Sequence, residues 1–191
     1  MNKKTVALTE EQYQRIIHIM REGFITGDEI VKPNNRIATA LTLEANLGLR
    51  ISDILNLHLK DIVNDGGRYR LDITEQKTQK RREFTVPIDI YVYVQNYALE
   101  NKISPEARLF DLSERAVSKH LAKVCIYLGY GGIGTHSFRK FFATSIYVNS
   151  HYNIEVVRIL LQHSSAAITQ RYIGIQRQEI EEALKNHIKL L

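Results

Sequence analysis

The sequence predicts a single mostly helical α+β domain with a small antiparallel sheet. Three observations predict it. Apolar residues recur at helical spacing in one segment after another. Two stretches near the middle alternate apolar and polar residues instead, which is the period of a strand. A length of 191 residues, 44% hydrophobic and 25% charged, suits one well-buried soluble domain, and the chain shows no internal repeat or low-complexity tract.

The first helix is expected over Leu8 to Glu22. Thr9 and Gln12 have capping-box spacing, and Tyr13, Ile16, Ile17 and Met20 make the apolar stripe. Gly23 and Gly27 end it, and Val31 to Asn34 form a loop. A second helix follows from Arg36 to Leu47, burying Ile37, Ala40, Leu41 and Ala45, with Gly48 as its C-terminal cap. Ser52 is expected to start a short helix that turns Ile54, Leu55 and Leu57 inward. Arg50 stands just before that cap in a tight turn. It is either a surface arginine paired with Asp53 or an arginine whose guanidinium Asp53 holds rigidly.

Tyr69 to Thr74 and Glu83 to Val86 read as the two strands of a hairpin, with a third strand before or after them, around Leu109-Phe110 in the latter case. The connection from Glu75 to Arg82 carries Lys77, Lys80, Arg81 and Arg82. Such a run is either solvated surface or a basic finger against a phosphate backbone. Asp89 to Asn101 is expected to be a helix with Ile90, Tyr93, Val94 and Tyr97 on one side. Ser113 caps a clearer helix to Leu128, striped by Val117, Leu121, Val124 and Leu128. Gly129, Gly131, Gly132 and Gly134 lack the order of a nucleotide-binding loop. Further helices are expected over Ser137 to Val148, Ile154 to Leu161 and Arg177 to Lys189.

Composition narrows the function classes. No apolar run is long enough to span a bilayer, and Met1 to Thr5 leads into no apolar signal segment, so a cytoplasmic protein is expected. Cys125 is the only cysteine, which excludes an internal disulfide and a cysteine-based metal site. The net charge of +5 leans toward polyanions without deciding the matter.

The stretch from Thr135 to Tyr172 carries the chemistry. His136 and Arg139, at i and i+3, share a face at a helix N-terminus that Thr135 is expected to cap, where free N–H groups and the dipole favour an anion. Attack by a tyrosine on a phosphodiester needs help, because a phenol has a pKa of about 10. Cations favour the phenolate, and bidentate arginines neutralise the charge that gathers on the non-bridging oxygens. A lysine protonates the leaving sugar oxygen, and histidines bond the phosphate or move the nucleophile's proton. The chain offers Tyr172, Arg50, Arg139, Lys77, His136 and His163 for these roles. Carboxylate clusters suited to a two-metal nuclease are missing from it, so covalent catalysis without metal is expected.

In order, Gly48-Leu49-Arg50-Ile51-Ser52-Asp53-Ile54-Leu55-Asn56-Leu57, the hairpin lysine Lys77, His136-Ser137-Phe138-Arg139, His163 in Leu161-Gln162-His163-Ser164-Ser165, and Tyr172 nine positions later resemble the tyrosine recombinase (phage integrase) family. The resemblance runs from about Leu8 to Lys189. It implies a tyrosine-recombinase catalytic domain over 1–191, without the N-terminal core-binding (SAM-like) domain that usually completes a DNA clamp, and hence weak DNA affinity in isolation. It implies a site-specific DNA recombinase that cleaves and rejoins DNA through a 3′-phosphotyrosyl intermediate, needing no cofactor, metal or ATP. Catalysis would fall to Arg50, Lys77, His136, Arg139, His163 and Tyr172, with Lys80, Arg81 and Arg82 touching DNA. The implied partner is double-stranded DNA, bound by a tetramer that is a monomer or weak oligomer without DNA, with no membrane involved.

Phe138, Lys140 and Gln162 depart from the family pattern, which favours leucine, histidine and glycine there. Lys80 lies three residues from Lys77 and is the other candidate acid. His18, His58, His120, His151, His187, Tyr13 and Tyr97 read as structural. The rival readings are a catalytically silent DNA-binding regulator derived from a recombinase, a type IB topoisomerase and a metal-dependent nuclease.

Overall fold

The structure, a computed structural model, describes residues 5–27, 29–174 and 184–187. The chain divides into two compact units, the first through Phe142 and the second from Ala143.

In the first unit, α1 (Glu10–Glu22) starts at Thr9, whose side chain accepts from Gln12 while Gln12 reaches back to the Thr9 N–H, and it buries Ile16, Ile17 and Met20. Each of these side chains contributes roughly 1.5–3 kcal/mol by leaving water. Next comes a hairpin that the sequence does not predict, β1 (Phe24–Thr26) and β2 (Glu29–Val31), with Val31, expected in a loop, closing its second strand. Its strands are three residues each, too short to show an alternation. Phe24 and Val31 turn into the core and their neighbours Ile25 and Ile30 face out.

The central element is α2 (Asn35–Leu47), which Asn34 caps through the Ile37 N–H. It is buried on nearly every side, and Glu44 is buried along with its apolar residues. Gly48 ends it in the left-handed region with φ 60°. A Cβ there would stand 2.3 Å from Phe142, so only glycine fits this turn. α3 (Ile51–Leu55) follows at once. Its N-cap is Arg50, with no side-chain capping bond, and not Ser52 as expected.

The sheet has three antiparallel strands in the order β3 (Ile62–Asp65), β4 (Arg68–Thr74), β5 (Arg81–Val86). The third strand therefore precedes the hairpin. Leu109 instead donates its N–H to the Leu57 carbonyl beside an isolated bridge between His58 and Arg108. Leu71 pairs with Ile62 on one side and Phe84 on the other. α4 (Ile88–Glu100) packs on β4, burying Val94, Tyr97 and Ala98. α5 (Glu114–Tyr127), capped by Ser113, buries Val117, Leu121, Val124 and Cys125.

The boundary between the units falls inside α6 (Thr135–Asn149). The second unit continues with α7 (Ile154–Leu161) and α8 (Ala166–Ile173), which pack against each other. Of the helix expected over 177–189, only residues 184–187 lie among the described ones, and these are helical. Among the described residues, no helix is long and apolar enough to cross a membrane.

Candidate active site

The first unit places Arg50 at the junction of α2 and α3. The left-handed turn at Gly48 reverses the chain, Leu49 is buried, and Arg50 holds an extended backbone as the cap of α3. Its guanidinium is largely covered, with one-fifth of the side chain exposed. The nearest acid is Glu75, with Arg50 Nη1 2.5 Å from its Oε2. Asp53 Oδ2 stands farther off, at 3.9 Å. Asp53 has another task, because its Oδ1 accepts the backbone N–H of Gln76 at 2.9 Å.

Glu75 is the hub of this cluster. Its Oε1 accepts from Arg82 Nη1 at 3.0 Å, and Oε2 also accepts from the Thr78 hydroxyl at 2.7 Å. The Glu75 N–H donates to the Lys80 carbonyl, and the Gln79 N–H donates to the Glu75 carbonyl, closing the connection between β4 and β5 into a tight loop. Burial raises the Glu75 pKa. The Thr78 and Arg50 hydrogen bonds and the charges of Arg50 and Arg82 outweigh it and bring the carboxyl down to about 2.

Two expectations about the basic run need correcting. β5 begins at Arg81, so the run is half strand and half loop. Arg82 is 1% exposed and buried over the Phe84 ring, so it cannot face a DNA backbone. Burial and the neighbouring charge of Arg139 lower its pKa to about 10, with Glu75 opposing them. Arg81 is exposed and pairs with Asp72 through two hydrogen bonds across the strands. Lys77 and Lys80 are exposed on the loop.

His136 and Arg139 lie in the first turns of α6, which begins at Thr135, so Thr135 is inside the helix and not its cap. The turn is tied by the Ser137 N–H to the Gly134 carbonyl and by the Gly134 N–H to the Ser137 hydroxyl. Arg139 is buried at 3% exposure. Lys140, where the family pattern favours histidine, donates to the Thr5 carbonyl. The pKa of His136 is lowered by partial burial and then by the charges of Arg139, Lys77, Arg50 and Lys140. One imidazole therefore feels three other predicted catalytic side chains, and its neutral form is favoured.

The second unit holds His163 and Tyr172. α7 ends at Gln162 in the left-handed region, φ 55°, so glutamine keeps the backbone that a glycine would adopt freely. The His163 N–H then donates to the Arg158 carbonyl, and Arg158 Nη1 returns a bond to the His163 carbonyl at 3.0 Å. His163 Nδ1 lies 3.1 Å from the hydroxyl of buried Thr169. Ser165 caps α8 through the Ile168 N–H. Tyr172 is three positions beyond Thr169 on that helix, hence on the same face. The His163 and Tyr172 rings meet edge to face, with centroids 5.2 Å apart.

Sequence reasoning missed Glu75 and Glu44. Glu44 is buried and its carboxyl pKa lies well above the ordinary value, raised by burial against the charge of Arg139. The signal for Glu75 was present in strand parity, since Leu71, Ile73 and Glu75 fall on one face and Arg82, Phe84 and Val86 on the matching face of the partner strand. Among the described residues, no group of three or more His, Cys, Asp or Glu side chains is placed to hold a metal ion.

The first unit thus carries a cationic cluster and the second a histidine–tyrosine pair. The phage integrase family model matches residues 7–179. The probable integrase/recombinase YoeC of Bacillus subtilis is 32% identical over 164 residues, 82% of this chain and 87% of the relative. The tyrosine recombinase XerC of Caldanaerobacter subterraneus is 24% identical, and the chain spans only 43% of it. Among solved structures, the XerH recombinase bound to its palindromic difH substrate in a post-cleavage complex superposes with a TM-score of 0.68 at 21% identity, over 96% of this chain and 53% of that one. The catalytic domain of bacteriophage HP1 integrase superposes with a TM-score of 0.62 at 20% identity, covering 96% of both chains. The chain belongs to the phage integrase family, the tyrosine recombinases.

Proposed function

We propose that this chain is the catalytic part of a site-specific DNA recombinase that acts in the cytoplasm on double-stranded DNA. The observation that carries the reading is the geometry of the first unit, which fixes Arg50 on Glu75 beside the loop of Lys77 and sets His136 and buried Arg139 in the first turns of α6. Arginines and a lysine held in this way suit the charge of a phosphate.

In this reading Tyr172 attacks the scissile phosphorus. The new bond from the phenolic oxygen forms as the bond to the 5′-oxygen breaks. Arg50 and Arg139 bind the non-bridging oxygens, where negative charge accumulates. Lys77 gives its proton to the departing 5′-oxygen. Lys77 is preferred to Lys80 for the role because it lies nearer the end of β4 at Thr74. Neutral His136 bonds the phosphate, and His163, held by Thr169 beside Tyr172, takes part in moving the phenolic proton. A 5′-hydroxyl then displaces the tyrosine, so the energy of the phosphodiester is kept. Four copies on two duplexes are the proposed working assembly. Lys80 and Arg81 remain candidates for contact with the DNA backbone.

Covalent trapping tests the reading. Duplexes with randomised flanks and one central 5′-bridging phosphorothiolate are incubated with the protein in excess chelator. An adduct that survives detergent and is lost in Tyr172→Phe is the expected result. An adduct that persists in that variant rules out Tyr172. Loss of cleavage in chelator points to a metal-dependent nuclease, and binding without any adduct points to a silent regulator.

A further inference from the structure

We propose that Glu75 is a positioning residue for strand cleavage, a buried carboxylate shared by Arg50 and Arg82 that fixes the Arg50 guanidinium and the Lys77 loop in one geometry. The inference rests on the recombinase reading, and it adds a residue to which that reading gives no role.

The argument begins with what Glu75 touches. Oε2 receives Arg50 and Thr78, and Oε1 receives Arg82. The two oxygens thereby join three segments, the turn before α3, the loop after β4 and the start of β5. Its backbone N–H and carbonyl close the loop that presents Lys77, two residues on. A lysine at such a loop tip has four rotatable bonds and no rigid support of its own, so the loop must supply its placement.

The geometry also divides labour between the two acids. Asp53 is nearly four ångströms from the Arg50 guanidinium and spends one oxygen on the Gln76 N–H. It anchors the loop backbone. Glu75, at 2.5 Å, anchors the guanidinium. Arg82 belongs to the device as counterweight. A lone carboxylate beside Arg50 would cancel the charge that a phosphate needs. With Arg82 and Arg139 close by, the cluster stays cationic and Glu75 orients Arg50 without neutralising the site.

A purely structural Glu75 would serve only to balance buried Arg82. Chemistry separates the two possibilities. Cleavage of a nicked duplex with randomised flanks is measured with an ordinary phosphodiester, and again with a neutral methylphosphonate, at the central linkage. The methylphosphonate lacks one of the anionic oxygens, so it demands less of Arg50. Glu75→Gln is expected to slow phosphodiester cleavage on the order of 10²-fold, like removal of one oriented donor, and methylphosphonate cleavage by a far smaller factor. Loss of folded protein would slow both equally.

Because Glu75→Gln leaves Arg82 buried without its partner, the pair Glu75→Gln with Arg82→Met is run beside it. That pair removes the uncompensated charge and restores stability, yet the selective defect on the phosphodiester is expected to persist. Equal slowing on both substrates, or full recovery in the double variant, overturns the role of Glu75. Wild-type protein that forms a Tyr172 adduct while Glu75→Gln cleaves at the same rate overturns this inference and leaves the recombinase reading standing. Wild-type protein without any adduct overturns both.

Discussion

His136 is a neutral histidine in a cationic neighbourhood, and this has a consequence for pH. Its pKa is lowered by burial and by four nearby cations, so acid is needed to charge it. A lowered pKa means that the unfolded chain binds this proton more readily than the folded one. The stability involved is present above the ordinary histidine value of about 6.5 and is lost as pH falls through the lower folded value. Adduct formation is therefore expected to stay level from neutral pH down to about 6.5 and to fall only below it, with His136→Gln lacking that acid limb. A decline between pH 8 and pH 7 that His136→Gln abolishes would contradict a neutral His136. The arginines give a second residue-level contrast. Arg82→Ala leaves the buried Oε1 of Glu75 without its partner and empties the space of a buried arginine, and is expected to cost about 3–5 kcal/mol, whereas Arg81→Ala removes an exposed pair with Asp72 and is expected to cost at most about 1 kcal/mol. Urea denaturation of the two variants checks the ordering, and equal losses would mean that the Glu75–Arg82 pair is not sealed from water. The six residues with family spacing are proposed from spacing along the chain alone, which needs no knowledge of what faces in or out. The places of Glu75 and Arg82 were not legible, because a basic run looks alike whether its members face in or out. Only the pairing of Ile73 with Arg82 sets the inward parity of both strands.

At the scale of elements, the turn between α2 and α3 sets where Arg50 stands. Gly48→Ala is expected to destabilise the protein by about 2–4 kcal/mol, from the cost of a left-handed alanine together with a Cβ driven into the Phe142 ring. Thermal melting measures the loss. A melting temperature within about a degree of wild type would show that the Phe142 ring moves aside cheaply. The helices were readable in the sequence because their caps are local. Thr9 and Ser113 each close a helix start through a side-chain bond within three residues, whereas α8, capped by Ser165, was not expected from the sequence. The failures share one cause, which is that tertiary contact and not local pattern makes the element. The β1–β2 hairpin exists because Phe24 and Val31 reach the core, and α3 starts at Ile51 after Arg50, a cap that makes no side-chain bond a sequence could signal. β3 was hidden for a similar reason, since Ile62 is the one buried position in a strand of four.

For the molecule as a whole, buried acids set opposing dependences of stability on pH. Glu75 has a folded pKa of about 2, below the ordinary glutamate value. Its contribution is complete above that ordinary value and is lost as pH falls from about 4.5 toward 2. Glu44 works in the other direction. Burial among the residues of α2 lifts its pKa well above the ordinary value, against the charge of Arg139. The folded chain then holds this proton more tightly than the unfolded one, so stability declines as pH rises from about 4.5 through the folded value. Glu44→Gln keeps the shape and removes the titration. Relative to wild type, the variant is expected to gain stability between pH 5 and pH 8, by on the order of 1 kcal/mol or about 2–4 °C for a chain of this size. The comparison decides between burial and ion pairing as the dominant influence on this carboxyl. If the variant instead loses ground at pH 8, the attraction between ionised Glu44 and Arg139 outweighs the cost of burying the charge, and Glu44 becomes a second acid, beside Glu75, that holds an arginine of the site.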